Sequence, residues 1–270
     1  MDDHSETGAM TPEAYQAAGA GLEDATLKAK LHALPQIIND WLAPYGGLAG
    51  KRVLDFGCGV GEMAAGMALG YGAEDVHGVD IAAKFEACPD LLHQTYGLTD
   101  LPPNLRFSRI GIGEALGQED YDVIASWSAV EHVSRGTLDT TLAALHAALR
   151  PGGVAMIQVS PLYFSPEGAH LWTLGYGRWE HLLRQTSEVL GDIQTALSED
   201  PARVDKVSAM YLTLNRLTAD ELVDRVTLAG FKILREQRDL TDQEPPQALL
   251  QAYSVDALKT DQIVLLLGKA

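Results

Sequence analysis

Residues 51–61 read KRVLDFGCGVG and hold a dense set of chemistry-bearing positions. One carboxylate, Asp55, interrupts the apolar run Val53, Leu54 and Phe56, and three glycines follow at alternate positions, Gly57, Gly59 and Gly61. Glycine at that spacing lets backbone pass close to a ligand where a side chain would collide. Twenty-one residues after Gly59 a second apolar run, DVHGVD, ends in Asp80. A carboxylate at the tip of a second parallel strand is placed to accept hydrogen bonds from ribose hydroxyls. The nicotinamide-type fingerprint also uses glycines and an acid about twenty residues on, and Gly59-x-Gly61-x-x-Ala64 comes near to it. Asp55 argues against that reading, because it would set a second negative charge beside a pyrophosphate. A sulfonium ligand with an amino acid tail has no such conflict.

Proton transfer at neutral pH points to histidine. His170 and His181 lie among or just after the rings of Tyr163, Phe164, Trp172, Tyr176 and Trp179, with Arg178 among them and Arg184 shortly beyond, and His132 follows Glu131 in the run VEHV. A small separate core would want such rings. A pocket for a hydroxylated or ring-bearing substrate would want rings mixed with polar groups. Both readings stay open, and Tyr163, Trp172, Tyr176, Arg178 and Trp179 are the substrate-binding candidates. The two cysteines, Cys58 and Cys88, make no metal-ligand spacing, so neither a metal site nor a disulfide is expected. Cys58 reads as a small side chain that fits the glycine turn.

Elements must position these groups. Residues 51–61 and the apolar positions after Glu62 predict a buried strand, a tight turn and a helix start. DVHGVD, LRFSRI, YDVIASW and VAMIQVS are further strands, with Val123 and Ile124 buried in the third of them. A helical stretch over 82–96 should be interrupted at Pro89. Leu138, Leu142, Leu145 and Leu149 mark one helix face, ended by Arg150-Pro151-Gly152-Gly153. TADE from Thr218 is a capping box that opens a late helix, and FKILRE and QIVLLLG form an antiparallel edge. Apolar spacing predicts a helix over 22–41, kinked or split at Pro35, after an acidic, mobile start. The stretch 161–216 stands as an insertion between strand and late helix.

VLDFGCGVG, followed by VHGVD, YDVIASWSAVEHV and LRPGGVAMI, resembles the class I S-adenosylmethionine-dependent methyltransferases. The resemblance covers roughly 51–159 in consecutive order and continues more weakly through the last strands. It implies an α/β fold: a Rossmann-like seven-stranded mixed sheet of order 3-2-1-4-5-7-6, flanked by helices, with an inserted cap. The implied division is an N-terminal helical segment (1–50), a cofactor-binding core (51–160), a cap (161–216), and a C-terminal helix with edge strands (217–270). It also implies S-adenosylmethionine as cofactor. Asp55, Gly57, Cys58, Gly59 and Gly61 would receive its methionine end, Asp80 and Ile81 its ribose, and Ser126 and Trp127 would stand at the end of the fourth strand. The family usually places an acid after the third strand to bind the adenine amino group. Here that position aligns with Ile112, followed by Gly113 and Glu114, so either Glu114 or backbone groups take its place or the contact is absent. In related enzymes an N-terminal helix crosses the cofactor mouth, which would bring Tyr15 near the site; a packing helix with Tyr15 exposed is the expectation. SPEGAHLW…RWEHLL and YLTLNRLT are similar to a bacterial subgroup associated with sugar or natural-product modification.

The implied activity is methyl transfer to an oxygen or nitrogen of a small polar metabolite, with His170, His181 or His132 as candidate base. The rivals are S-adenosylmethionine binding with other chemistry or none, and, more remotely, a nicotinamide-dependent oxidoreductase. Composition bounds the partners. With 270 residues and a net charge of −17, a polyanionic surface repels phosphate backbones and acidic membrane faces, so neither nucleic acid nor membrane is an expected partner. The start MDDHSETGAM lacks a basic, apolar leader and no run of about eighteen apolar residues occurs, so a cytoplasmic protein is expected. Oligomeric state is not encoded legibly.

Overall fold

The computed structural model describes residues 10–114, 116 and 120–269. It contains one seven-stranded sheet in the expected order, β3-β2-β1-β4-β5-β7-β6. Two compact units divide the chain: residues up to Gly111 with the strand residues through Ala125, and residues from Ser126 onward with the 112–118 connection.

In the first unit the strands are β1 (Arg52–Phe56), β2 (Asp75–Asp80), β3 (Leu105–Arg109) and β4 (Tyr121–Trp127), the last two residues of β4 belonging to the second unit. β1 pairs in parallel with β2 (Asp55 opposite Gly78) and with β4 (Asp55 opposite Ala125). β2 pairs in parallel with β3, Asp80 opposite Arg109. Val53, Leu54, Val76, Val79, Val123 and Ile124 are buried, as continuous apolar runs in a sheet covered on both faces should be.

The helices of this unit are α1 (Pro12–Ala20), α2 (Ala25–Lys28), α3 (Leu34–Leu42), α4 (Glu62–Gly70) and α5 (Cys88–Tyr96). Pro35 does not split the helix. A π turn over Ala29–Ala33 joins α2 to α3, and the Leu34 amide donates back to the Ala29 carbonyl. The widened turn absorbs the donor and the space that proline denies an α-helix. Pro89 likewise lies in the first turn of α5, where its missing N–H costs nothing, after a 3₁₀ turn over Ala83–Ala87.

The expectation of an exposed Tyr15 is corrected: Tyr15 is fully buried. Its hydroxyl donates to the Leu31 carbonyl, and its ring stacks on His32 at 4.2 Å. Two glycines of α4 make the room. A Cβ on Gly66 would lie 2.1 Å from the Leu31 oxygen, and one on Gly70 would lie 2.5 Å from Cε1 of Tyr15. Backbone on one side and a buried ring on the other leave nothing free to shift. Gly66→Ala is therefore expected to destabilise the protein by about 1–3 kcal/mol, read as a lower melting temperature.

The second unit contains α6 (Arg135–Ala148), β5 (Leu149–Val159), α7 (Glu180–Leu183), α8 (Thr186–Ala196), α9 (Pro201–Thr213), α10 (Ala219–Leu228), β6 (Lys232–Leu240), α11 (Val255–Lys259) and β7 (Thr260–Gly268). β7 runs antiparallel to both β5 and β6. Leu138, Leu142 and Leu145 are the buried face of α6, but Leu149 begins β5 instead of continuing the helix. The helix stops at Ala148, before the Pro151-Gly152-Gly153 bend, and pairing with β7 starts at Val154. Glu131-His132 forms a 3₁₀ turn, and Ser134 is the residue that precedes α6. At α10 the capping box is present: Glu221 N donates to Thr218 Oγ1 at 3.2 Å, and Thr218 N to Glu221 Oε2 at 2.9 Å. Between β5 and α10, Tyr163, Leu171, Val189, Ile193, Tyr211 and Leu214 build a hydrophobic cluster of their own. Among the described residues no helix is long and apolar enough to cross a membrane.

Candidate functional site

The turn after β1 is built from backbone that only glycine adopts without strain. Gly57, Gly59 and Gly61 have φ of 79°, 59° and 97°. Their reasons differ. A Cβ on Gly61 would strike Phe107 at 2.5 Å, whereas one on Gly59 would meet nothing within 4 Å. Packing demands the bare carbon at Gly61; Gly59 leaves open space beside the backbone.

Asp80 ties this turn to the end of β2. Its Oδ2 accepts from the Gly59 amide at 3.0 Å and its Oδ1 from the Ala82 amide at 2.8 Å. The amides of Gly57 and Cys58 both donate to the Val79 carbonyl, at 2.8 and 3.1 Å. Ile81 is half exposed beside it, and its carbonyl takes the Arg109 Nε–H at 3.0 Å.

Asp55 lies beneath. It is 0 % exposed, and neither carboxylate oxygen has a hydrogen-bond partner. Burial, then the charges of Asp80 and Glu62, push its pKa up to about 8. Glu62 opens α4 and meets Lys30 Nζ at 3.2 Å. Three acids thus converge on one turn with a single lysine against them, an arrangement that suits a cationic ligand. The Cys58 thiol is buried and held protonated by that burial and by Asp55, so it is a packing group here.

The second unit holds the other residues that the sequence singled out. Ile112 is 74 % exposed, Gly113 has φ +70°, and Glu114 is exposed. Ser126 is buried and Trp127 half-buried at the end of β4. His132 and His170 are brought together, ring centroids 4.9 Å apart, and Trp172 stands 5.5 Å from His170. His170 has φ +58°, and its Nε2 lies 3.1 Å from the Pro161 carbonyl. A carbonyl only accepts, so Nε2 carries the proton and Nδ1 the lone pair. Burial, then the neighbouring His132, lower the His170 pKa to about 4.

His181 is placed differently. It is 3 % exposed, its Nε2–H donates to the Tyr163 carbonyl at 2.6 Å, and its Nδ1 is buried without a partner. Burial lowers its pKa to about 4 as well. Tyr163 packs against it, ring to ring at 5.0 Å. Trp179 is buried, its indole N–H shared between the carbonyls of Phe164 and Leu258. Tyr176 donates to Asp192 at 3.3 Å. The exposed Trp172 and Arg178 line one groove of ≈ 480 Å³ with Ser160, Pro161 and Glu167.

The sequence pattern assigned Glu131 only a structural role at a helix start, and Arg216 escaped it. Glu131 is 3 % exposed, with its pKa pushed up to about 8 by burial; an acid in a VEHV run gives no sign of being sealed in. Arg216, within LNRLT, lies over two tyrosine rings, the nearby Tyr211 and the distant Tyr163. Among the described residues, no group of three His, Cys, Asp or Glu side chains could hold a metal ion.

Comparison with known proteins follows the same lines. The family described as "Methyltransferase domain" matches residues 29–236. A ubiquinone biosynthesis O-methyltransferase of Burkholderia lata is 33 % identical over 126 residues, which are 46 % of this chain and 50 % of that protein. The chain spans about half the length of the curated relatives it matches. Two solved structures share the fold. The magnesium protoporphyrin IX methyltransferase of Synechocystis PCC 6803, solved with bound SAH, has a TM-score of 0.52 at 15 % identity and covers 95 % of this chain and 93 % of its own. An S-adenosylmethionine-dependent methyltransferase of Mesorhizobium loti has a TM-score of 0.50 at 15 % identity, with coverage of 82 % and 92 %. A glycine turn tied to an acid-tipped β2, the sheet order and the 29–236 match agree, and the chain belongs to the methyltransferase-domain family.

Proposed function

We propose that this protein transfers a methyl group from S-adenosylmethionine to an oxygen or nitrogen of a small polar acceptor. The observation that carries the reading is the bond between the Gly59 amide and the Asp80 carboxylate, with open space beside Gly59. The residues present suit the cofactor: Asp80 for the ribose hydroxyls, the turn from Gly57 to Gly61 for the close approach of its chain, and Asp55, which a cation beside it would ionise, for its cationic end. When bound, the cofactor supplies an electrophilic methyl on a positively charged sulfur. The same buried Asp55 disfavours a dinucleotide, whose pyrophosphate would add negative charge at the turn. We assign 51–160 and 217–270 to the cofactor-binding core, and 161–216 to a cap that selects the acceptor.

The protein's remaining task is to orient the acceptor and take its proton. Orientation alone can give effective molarities of about 10⁵–10⁸ M. For an alcohol acceptor a base is needed, and the His132–His170 pair is our candidate. His170 is neutral at physiological pH and presents Nδ1 as the acceptor atom. His181 is the weaker candidate, because its free nitrogen is sealed from solvent.

The function is tested by incubating the protein with S-adenosylmethionine and a panel of hydroxylated and amino metabolites and measuring S-adenosylhomocysteine. Cofactor binding with no turnover on any acceptor class would favour a binding role or other chemistry. For the base, His170→Asn is the informative variant, since asparagine tolerates the left-handed backbone. It is expected to lower kcat by about 10²–10⁴-fold while cofactor affinity and melting temperature stay near wild type. Unchanged kcat removes His170 from the mechanism.

A further inference from the structure

Arg216 stands in the turn between α9 and α10 with φ +55°, a left-handed backbone that a residue with a side chain keeps only where its surroundings fix it. Arg135 does the fixing: its Nε–H donates to the Asn215 carbonyl at 3.0 Å and its Nη2 to the Arg216 carbonyl at 3.1 Å. Asn215 is held in turn, its amide donating to Glu131 O at 3.0 Å and its side chain to Val130 O at 2.8 Å. The result is a rigid turn that aims one guanidinium.

That guanidinium lies over two buried rings, 5.0 Å from the centroid of Tyr163 and 5.5 Å from that of Tyr211. The two tyrosine hydroxyls are 3.4 Å apart. Stacking uses the faces of the group and leaves its in-plane N–H donors unspent. Arg106, Arg135, Arg184, Arg225 and Arg238 each meet a carboxylate. Arg216 meets none among the described residues, in a chain with 37 acidic against 20 basic side chains. A cavity of ≈ 440 Å³ has Arg216 in its wall together with Ser134, Arg135, Thr213 and Asn215, and no acid lines it. Its size suits a small molecule. Arg135 is neutralised by Glu221 at 2.9 Å and the Thr213 hydroxyl donates to the Met210 carbonyl, so Arg216 is the uncompensated charge in a wall free of carboxylates, and it selects negative charge.

We propose that this cavity binds the anionic group of a small molecule, a carboxylate or a phosphate, with Arg216 as its charge partner and Ser134 as a hydroxyl donor. The binding of the oxyanion does not depend on the function proposed above.

The test titrates inorganic phosphate and, separately, benzoate into the full chain, followed by calorimetry and by melting temperature. At least one anion is expected to bind in the millimolar range, more weakly as sodium chloride is added. Binding of phosphate alone or of benzoate alone names the group. Arg216→Met keeps an apolar stem on the tyrosine rings and is expected to weaken that binding about tenfold or more, with Arg216→Lys between the two. Should Arg216→Met fail to fold, Ser134→Ala gives the same reading. No binding of either anion, or binding that these variants leave unchanged, overturns the proposal. S-adenosylmethionine binding, measured in parallel, reports on the methyl-transfer reading alone, and its loss would leave the anion site standing.

Discussion

Asp80→Ala is expected to weaken S-adenosylmethionine binding by about a hundredfold or more, measured by calorimetry on a variant whose far-ultraviolet spectrum matches wild type. The carboxylate does two things at once. It holds the glycine turn through the Gly59 amide at 3.0 Å and the start of the next segment through the Ala82 amide at 2.8 Å. Its remaining lone pairs are free for ribose hydroxyls, because each carboxylate oxygen accepts more than one bond. A hydrogen bond to a charged group contributes about 1.5–3 kcal/mol, so losing two ribose bonds alone accounts for the expected change. The turn then loses its tether as well, and the Gly59 amide must find water. Asp80→Asn is not a mild control: its amide N–H₂ would face a backbone N–H that needs an acceptor. Both variants should therefore bind weakly, with alanine and asparagine closer to each other than either is to wild type. Unchanged affinity in Asp80→Ala would remove the ribose role and, with it, the observation on which the functional reading stands.

What could be read from the chain alone was what is local. The glycine turn, the acid at the end of β2, the capping box at Thr218 and the strand runs each lie within a few residues. Their spacing alone therefore carries the geometry. The departures come from contacts between distant segments. Tyr15 is buried because Gly66 and Gly70, some fifty residues on, leave a gap that no pattern around Tyr15 announces. Pro35 falls in the first turn of α3 because a π turn carries the chain over from α2, an irregularity that the apolar spacing of 22–41 does not announce. The histidines show the same limit. Their side chains were legible as bases, but only the fold separates His170, with a lone pair beside His132, from His181, whose lone pair is sealed. Arg216 was invisible for the reason that makes it informative: its partners are rings at 163 and 211 and its counter-charge is missing.

The ligand-free protein is expected to lose stability as pH rises from about 4 to about 8, and Asp55→Asn is expected to flatten that fall. In the unfolded chain Asp55 releases its proton near pH 3.9. In the folded chain burial, then Asp80 and Glu62, hold the proton on until about pH 8. Between those values the native state carries a proton that the unfolded state has given up, so unfolding is favoured increasingly as pH rises, by about 1.4 kcal/mol per pH unit for one such group. Above pH 8 the contribution levels off. Glu131, pushed up to about 8 by its own burial, acts in the same direction, and general repulsion at a net charge of −17 adds to both. The difference between variant and wild type isolates Asp55 from those terms. Asparagine keeps the shape without the titration, so Asp55→Asn should be the more stable protein at pH 8 and nearly equal to wild type at pH 4, read from denaturant midpoints across the range. It should also bind S-adenosylmethionine more weakly, because asparagine cannot give up a proton and present a negative charge to the cation. That pairing of gained stability with lost affinity is the mark of a charge held in place for a ligand. A variant with the wild-type pH slope would show that Asp55 is ionised in the empty fold, and the convergence of three acids on this turn would then need another account.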